Sequence, residues 1–79
     1  MTYRAMWPGK VTELNVSDGA YVGKDNVIAR LMWTDEHGKS VTAGTAVAIR
    51  APFDGYVRLF PAISRLFVEN EPLFRLDKP

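Results

Sequence analysis

The chain has 79 residues, enough for one domain with one core, near the lower size at which a domain folds alone. It has no cysteine and one histidine, His37, which leaves neither disulfides nor a His/Cys ligand set for zinc. The formal net charge of +1 comes from scattered lysines and arginines, where nucleic-acid binders carry a basic stripe, so nucleic acid is not the expected partner. No apolar run approaches the roughly 20 residues of a membrane span. The opening Met1-Thr2-Tyr3-Arg4-Ala5-Met6-Trp7-Pro8 lacks the apolar stretch of a signal peptide, and the expected location is cytoplasmic.

No window keeps an apolar stripe at helical spacing, and glycine and proline interrupt the chain often, so the sequence predicts an all-β domain over residues 1–79. Strands are expected at Tyr3 to Met6 and Val11 to Val16, followed by an Asp18-Gly19 turn and a short piece at Tyr21-Val22. Val27 to Thr34 reads as a strand leading into a polar hairpin loop, Asp35-Glu36-His37-Gly38-Lys39-Ser40. Val41 to Ile49 alternates most clearly. Its odd positions (Val41, Ala43, Thr45, Val47, Ile49) are larger and expected to face the core, and its even ones are small. Asp54-Gly55 is read as a second turn before a strand at Tyr56 to Phe60. A piece at Phe67-Val68 and a strand at Leu73 to Leu76 complete the set.

The two halves can be superposed. Gly9-Lys10-Val11 matches Gly55-Tyr56-Val57 at an offset of 46, and Val22 to Leu31 matches Phe67 to Leu76 at 45, which places a one-residue deletion in the loop between. Each half reads as a glycine, a strand, a turn, an apolar residue, a polar turn and a strand ending in Arg-Leu.

Four segments carry a family resemblance: Gly9-x-Val11; Val16-Ser17-Asp18-Gly19-Ala20-Tyr21-Val22-Gly23-Lys24-Asp25-x-x-Ile28; Ile49-Arg50-Ala51-Pro52-Phe53-Asp54-Gly55-Tyr56-Val57; and Phe67-Val68-Glu69-Asn70-Glu71-Pro72-Leu73-Phe74. From Trp7 to Leu76 the chain resembles the biotinyl/lipoyl-like family, most strongly at Ala51-Pro52-Phe53-Asp54-Gly55. The resemblance implies a barrel-sandwich hybrid: two small antiparallel sheets related by a quasi-twofold axis, with an extended central hairpin. Carrier members of that family bear biotin or lipoate on a hairpin lysine, often within Met-Lys-Met or Asp-Lys-Ala. Counting back from Ala51-Pro52 puts that lysine at Gly44, and counting forward from Val22 and Ile28 puts it at Asp35. Neither is lysine, so the resemblance is to a member without the attachment motif, and neither biotin nor lipoate is the expected cofactor. Lys39, in Gly38-Lys39-Ser40 near the hairpin tip, is the remaining candidate for such a modification; the plainer reading is a solvated loop lysine.

Nothing in the chain forms a catalytic constellation. His37 has no nucleophile or second acid beside it, and adjacent Asp35 and Glu36 read as solvated loop acids. Neither a Walker loop nor a dinucleotide glycine motif is present. The large aromatics Trp7, Trp33 and Phe53 read as core edge or as contact anchors, with Trp33, just before the polar hairpin, the one expected to be partly exposed. The second half's loop, Phe60-Pro61-Ala62-Ile63 and Leu66-Phe67, is more apolar than its counterpart at Asn15 to Gly19; part of it is expected to fill the core, and any surplus to form an exposed patch of the kind that marks a contact site. The expected function is a non-enzymatic protein-interaction or assembly module, binding another protein or a second copy through Trp33, Phe60, Ile63 and Leu66. A carrier domain modified at Lys39 and a small β-barrel binding a ligand or nucleic acid are the alternatives.

Overall fold

A computed structural model describes residues 1–35, 37–41 and 46–79. Among the described residues, seven strands run in chain order: β1 (Thr2–Arg4), β2 (Gly9–Leu14), β3 (Tyr21–Val22), β4 (Val27–Trp33), β5 (Val47–Arg50), β6 (Gly55–Leu59) and β7 (Pro72–Asp77). A single 3-10 turn, Pro61–Ser64, lies between β6 and β7. The strands form two small antiparallel sheets, one in the order β1-β7-β6-β3 and the other β2-β4-β5. The fold is all-β, a small sandwich, and neither sheet closes into a barrel among the described residues.

Each sheet draws strands from both halves of the chain. β1 and β3 join β6 and β7, while β5 joins β2 and β4. Neither half could therefore complete a sheet alone, and the apolar faces of both are buried against each other. The core gathers Ile28, Leu31 and Trp33 from β4, Leu73, Phe74 and Leu76 from β7, and Val57 and Phe67. Burying each such large side chain contributes about 1.5–3 kcal/mol.

The pairings recur at the offsets found in the sequence. Val11 opposes Leu31 as Val57 opposes Leu76, and Tyr3 opposes Phe74 as Ile49 opposes Ala29. Val22 opposes Gly55 in β3–β6, and Gly9 forms the corresponding bridge with Phe67. Both outer ladders slip register at the same place, between Val27 and Ala29 on β4 and between Tyr3 and Arg4 opposite β7. Such a slip re-aims side chains; consecutive residues Ile28 and Ala29 on β4, and Leu73 and Phe74 on β7, all end up buried. The turns match too. The Asp25 N–H donates to the Ala51 carbonyl at 2.8 Å and the Ala51 N–H to Asn26 at 2.9 Å; the Asn70 N–H donates to Ala5 at 2.8 Å and the Ala5 N–H to Glu71 at 3.0 Å. Asp25 and Asn70 share a left-handed backbone with φ of 71°, and Arg50 and Arg4 each donate from Nη1 to that residue's carbonyl at 3.0 Å.

Three expectations need correction. The unmatched residue is not in the loop. Asn15 N–H donates to Ile28 as Phe60 N–H donates to Leu73, so the connections keep the 45-residue offset, and the extra residue is Thr12, at the register shift between Val11 and Glu13. Gly55 is not a turn glycine with positive φ. It sits in β6 because a Cβ there would collide with the Asp77 carbonyl oxygen, as one on Gly9 would with that of Met32. Among the described residues, the strand expected from Val41 to Ile49 is observed only at Val47–Arg50. There Ile49 packs on the core, but Val47, at the outer end of an edge strand, is 37% exposed, and Val41 is exposed outside any strand. Glu36 and residues 42–45, including the Gly44 register and the middle of that alternating pattern, lie outside the described residues.

Candidate functional site

The Asp35 side chain helps to shape the hairpin after β4. Asp35 Oδ1 accepts the N–H of His37 at 2.8 Å and of Lys39 at 2.9 Å. The Asp35 N–H donates to the Lys39 carbonyl at 2.7 Å, and Thr34 bridges to Ser40. An aspartate that holds its own turn by accepting nearby N–H groups is a structural role. Lys39 is exposed on this fixed turn. A Cβ built on Gly38, whose φ is 81°, would stand 4.0 Å from Leu66 Cδ1 of the second half's loop.

The four predicted contact residues separate. Trp33, expected to be partly exposed, is only 7% exposed. It ends the middle strand of its sheet and lies edge-on between two rings, Trp7 at 5.5 Å and Phe67 at 6.3 Å between centroids. Ile63 is also buried, on the inner side of the 3-10 turn, and Phe60 is half-buried. Ile63 belongs to the core, as Ala62 and Phe67 of the same loop do, which accounts for much of that loop's apolar character. Leu66 alone is displayed, at 56% exposure.

Leu66 forms a ridge between two shallow clefts. One, of about 370 Å³, is lined by Pro8, Thr34, Asp35, Gly38, Phe67 and Val68 besides Leu66. The other, of about 280 Å³, is lined by Lys10, Val11, Ile63, Ser64 and Arg65. Val68 at 60% and Trp7 at 53% exposure extend the apolar surface around it. Sequence reading named Trp7 among the aromatics that are core edge or contact anchors but missed Pro8 and Val68, which come from separate connections brought together by the Gly9–Phe67 bridge. Trp7 is displayed because it is the lid on Trp33.

The ridge is fixed by an ion pair. Arg65 Nη2 donates to Glu71 Oε2 at 2.6 Å, Arg65 Nη1 to Glu71 Oε1 at 3.0 Å and to the Leu66 carbonyl at 2.9 Å. Glu71 Oε1 also accepts the Val68 N–H at 2.9 Å. The Arg65 hydrogen bonds, followed by that of Val68, hold the Glu71 carboxyl down at about 2. At the equivalent place in the first half, Asn26 Oδ1 accepts the Gly23 N–H at 2.7 Å, without an arginine.

Among the described residues, no group of three or more His, Cys, Asp or Glu side chains converges as metal ligands would. No helix is long and apolar enough to cross a membrane. No protein-family model and no curated protein matches the chain.

Proposed function

We propose that the chain is a biotinyl/lipoyl-like module without a prosthetic group, acting in the cytoplasm as a protein-interaction domain. The observation that carries the interaction half is the surface around Leu66. The two halves repeat each other at their structural positions, yet Leu66, Val68 and Pro8 are matched in the first half's setting by Tyr21, Gly23 and Asp54. A fold that stands with a phenol, a bare glycine and a carboxylate at one pole does not require three apolar residues at the other. Apolar surface that packing does not demand marks a contact site. The module half is supported by the recurring ladders and turns, the pattern that the family's quasi-twofold axis would produce.

Co-expression with biotin and lipoate ligases followed by intact-mass measurement tests the absence of a group: an unshifted mass is expected, and a lipoyl or biotinyl increment mapped to Lys39 would turn the reading to a carrier. A photo-cross-linking residue at Leu66, compared with one at Tyr21, tests the contact. Protein adducts are expected from position 66 and not from 21; equal labelling would remove the interaction reading.

A further inference from the structure

We propose that the partner at this face is a second copy of the same chain, docked about a twofold axis that passes beside Leu66. This rests on the interaction reading above and names its occupant. The warrant is how charge is divided across the ridge. Among the described residues, the cleft on one side of Leu66 is lined by a single charged residue, the Asp35 carboxylate. The cleft on the other side is lined by two cations, Lys10 and Arg65, of which Arg65 is already paired with Glu71. Lys10 is exposed and enters none of the ion pairs among the described residues.

An isologous contact places each patch against the rotated copy of itself. Rotation about an axis beside Leu66 lays the Lys10 side of one protomer over the Asp35 side of its partner, twice, while the two Leu66 side chains share the centre with Val68 and Trp7 around them. A ridge between two clefts fits the same outline: each Leu66 has a cleft of the partner to enter. The surface is therefore self-complementary in both charge and shape, whereas a strongly acidic or strongly basic partner would meet a like charge on one side of the ridge. An apolar centre with a paired polar rim is the usual anatomy of such contacts.

Analytical ultracentrifugation of the full chain over a wide concentration range provides the test, with circular dichroism confirming that each variant is folded. The wild-type chain is expected to dimerise. Leu66→Asp weakens the dimer about tenfold or more, because an anchor leaves the apolar centre and a charge enters it. Lys10→Glu sets a carboxylate opposite Asp35 and weakens it about tenfold. Asp35→Asn, which keeps the acceptor that holds the hairpin, weakens it severalfold. Tyr21→Asp, the change made at the equivalent position of the other pole, leaves it intact. A wild-type chain that stays monomeric throughout, or a dimer indifferent to Leu66→Asp and Lys10→Glu, overturns the proposal. If the chain is monomeric while the position-66 cross-linker captures a different protein, the second-copy assignment fails and the interaction reading survives. If position 66 captures nothing, both fail.

Discussion

Replacing Gly9 or Gly55 with alanine tests whether the same close contact holds both halves. A Cβ on Gly9 would stand 2.5 Å from the Met32 carbonyl oxygen and 3.1 Å from the Phe67 ring. On Gly55 it would press on the Asp77 carbonyl oxygen, with the carbonyl carbon at 3.0 Å and Leu76 Cδ1 at 3.3 Å. The main obstacle in each case is backbone of the neighbouring ladder strand, so relief requires the strands to part. Overpacking of this kind costs about 1–3 kcal/mol. Neither glycine has a positive φ, so alanine fits the local backbone and recovers about 0.4–1 kcal/mol through the unfolded chain. A net loss of about 1–2 kcal/mol corresponds to a melting temperature lower by about 4–16 °C for a domain of this size. Gly19 is the contrast. At φ 84° with open space around it, Gly19→Ala costs about 1–2 kcal/mol through backbone strain alone. Asparagine tolerates that backbone, so Gly19→Asn is milder than Gly19→Ala, while Gly9→Asn and Gly55→Asn are worse than their alanine variants. Thermal and urea melts followed by circular dichroism read all six. Wild-type stability in Gly9→Ala and Gly55→Ala, or a loss in only one of them, would refute the shared-contact reasoning.

Glu71 gives a pH prediction. Its folded carboxyl is held at about 2, below the ordinary carboxylate range, by Arg65 and then the Val68 N–H. A depressed carboxyl stabilises the fold at pH above its unfolded value of about 4.3, and this stabilisation is lost as pH falls towards the folded value. Glu71→Gln, which keeps an acceptor for Val68, is expected to flatten the acid limb of the stability curve between about pH 5 and 2; an unchanged limb counts against the ion pair. Arg4 and Arg50 make equivalent bonds to Asn70 and Asp25 and share no partner. Arg4→Met and Arg50→Met are each expected to cost up to about 1 kcal/mol, with the double variant near the sum in urea titrations. Strong inequality between the two would separate the turns that look alike.

Much of the fold was legible from period and punctuation. The strands expected at Val27 to Thr34, Val11 to Val16 and Tyr56 to Phe60 fall on β4, β2 and β6, since short apolar runs bounded by turn residues are a local property of the chain. What escaped were features that exist only across strands. The Thr12 insertion looks in sequence like a loop gap, because only the ladder shows which residue lacks a partner. Arg4-Ala5 and Arg50-Ala51 stand 46 residues apart like the glycines, but an Arg-Ala pair gives no signal until its carbonyl targets are placed. Trp33 misled for a related reason. Its neighbour in sequence is a polar hairpin, but its neighbours in space are Trp7 and Phe67, and burial follows space. The candidate surface was half legible. Apolar excess in the second loop pointed to Leu66, and the same excess in Ile63 is absorbed by the core.

The recurring ladder pairings supply their own control for separating what the fold requires from what it does not. Where both halves keep a residue type at equivalent positions, as at Gly9 and Gly55, Ala5 and Ala51, Arg4 and Arg50, or Leu31 and Leu76, the ladder explains it. Where they diverge at exposed positions, the fold has already tolerated the alternative in its other half. Lys78 stands where Trp33 would, and its ammonium lies 5.5 Å from the centre of the Phe53 ring, the position that Trp7 holds over Trp33. One pole thus meets water through a charge over an aromatic, and the other through an indole over an indole. Folding the sandwich cannot select between these, because both are present in one molecule. The tryptophan, leucine and valine at a single pole are therefore choices that the shared ladder does not dictate.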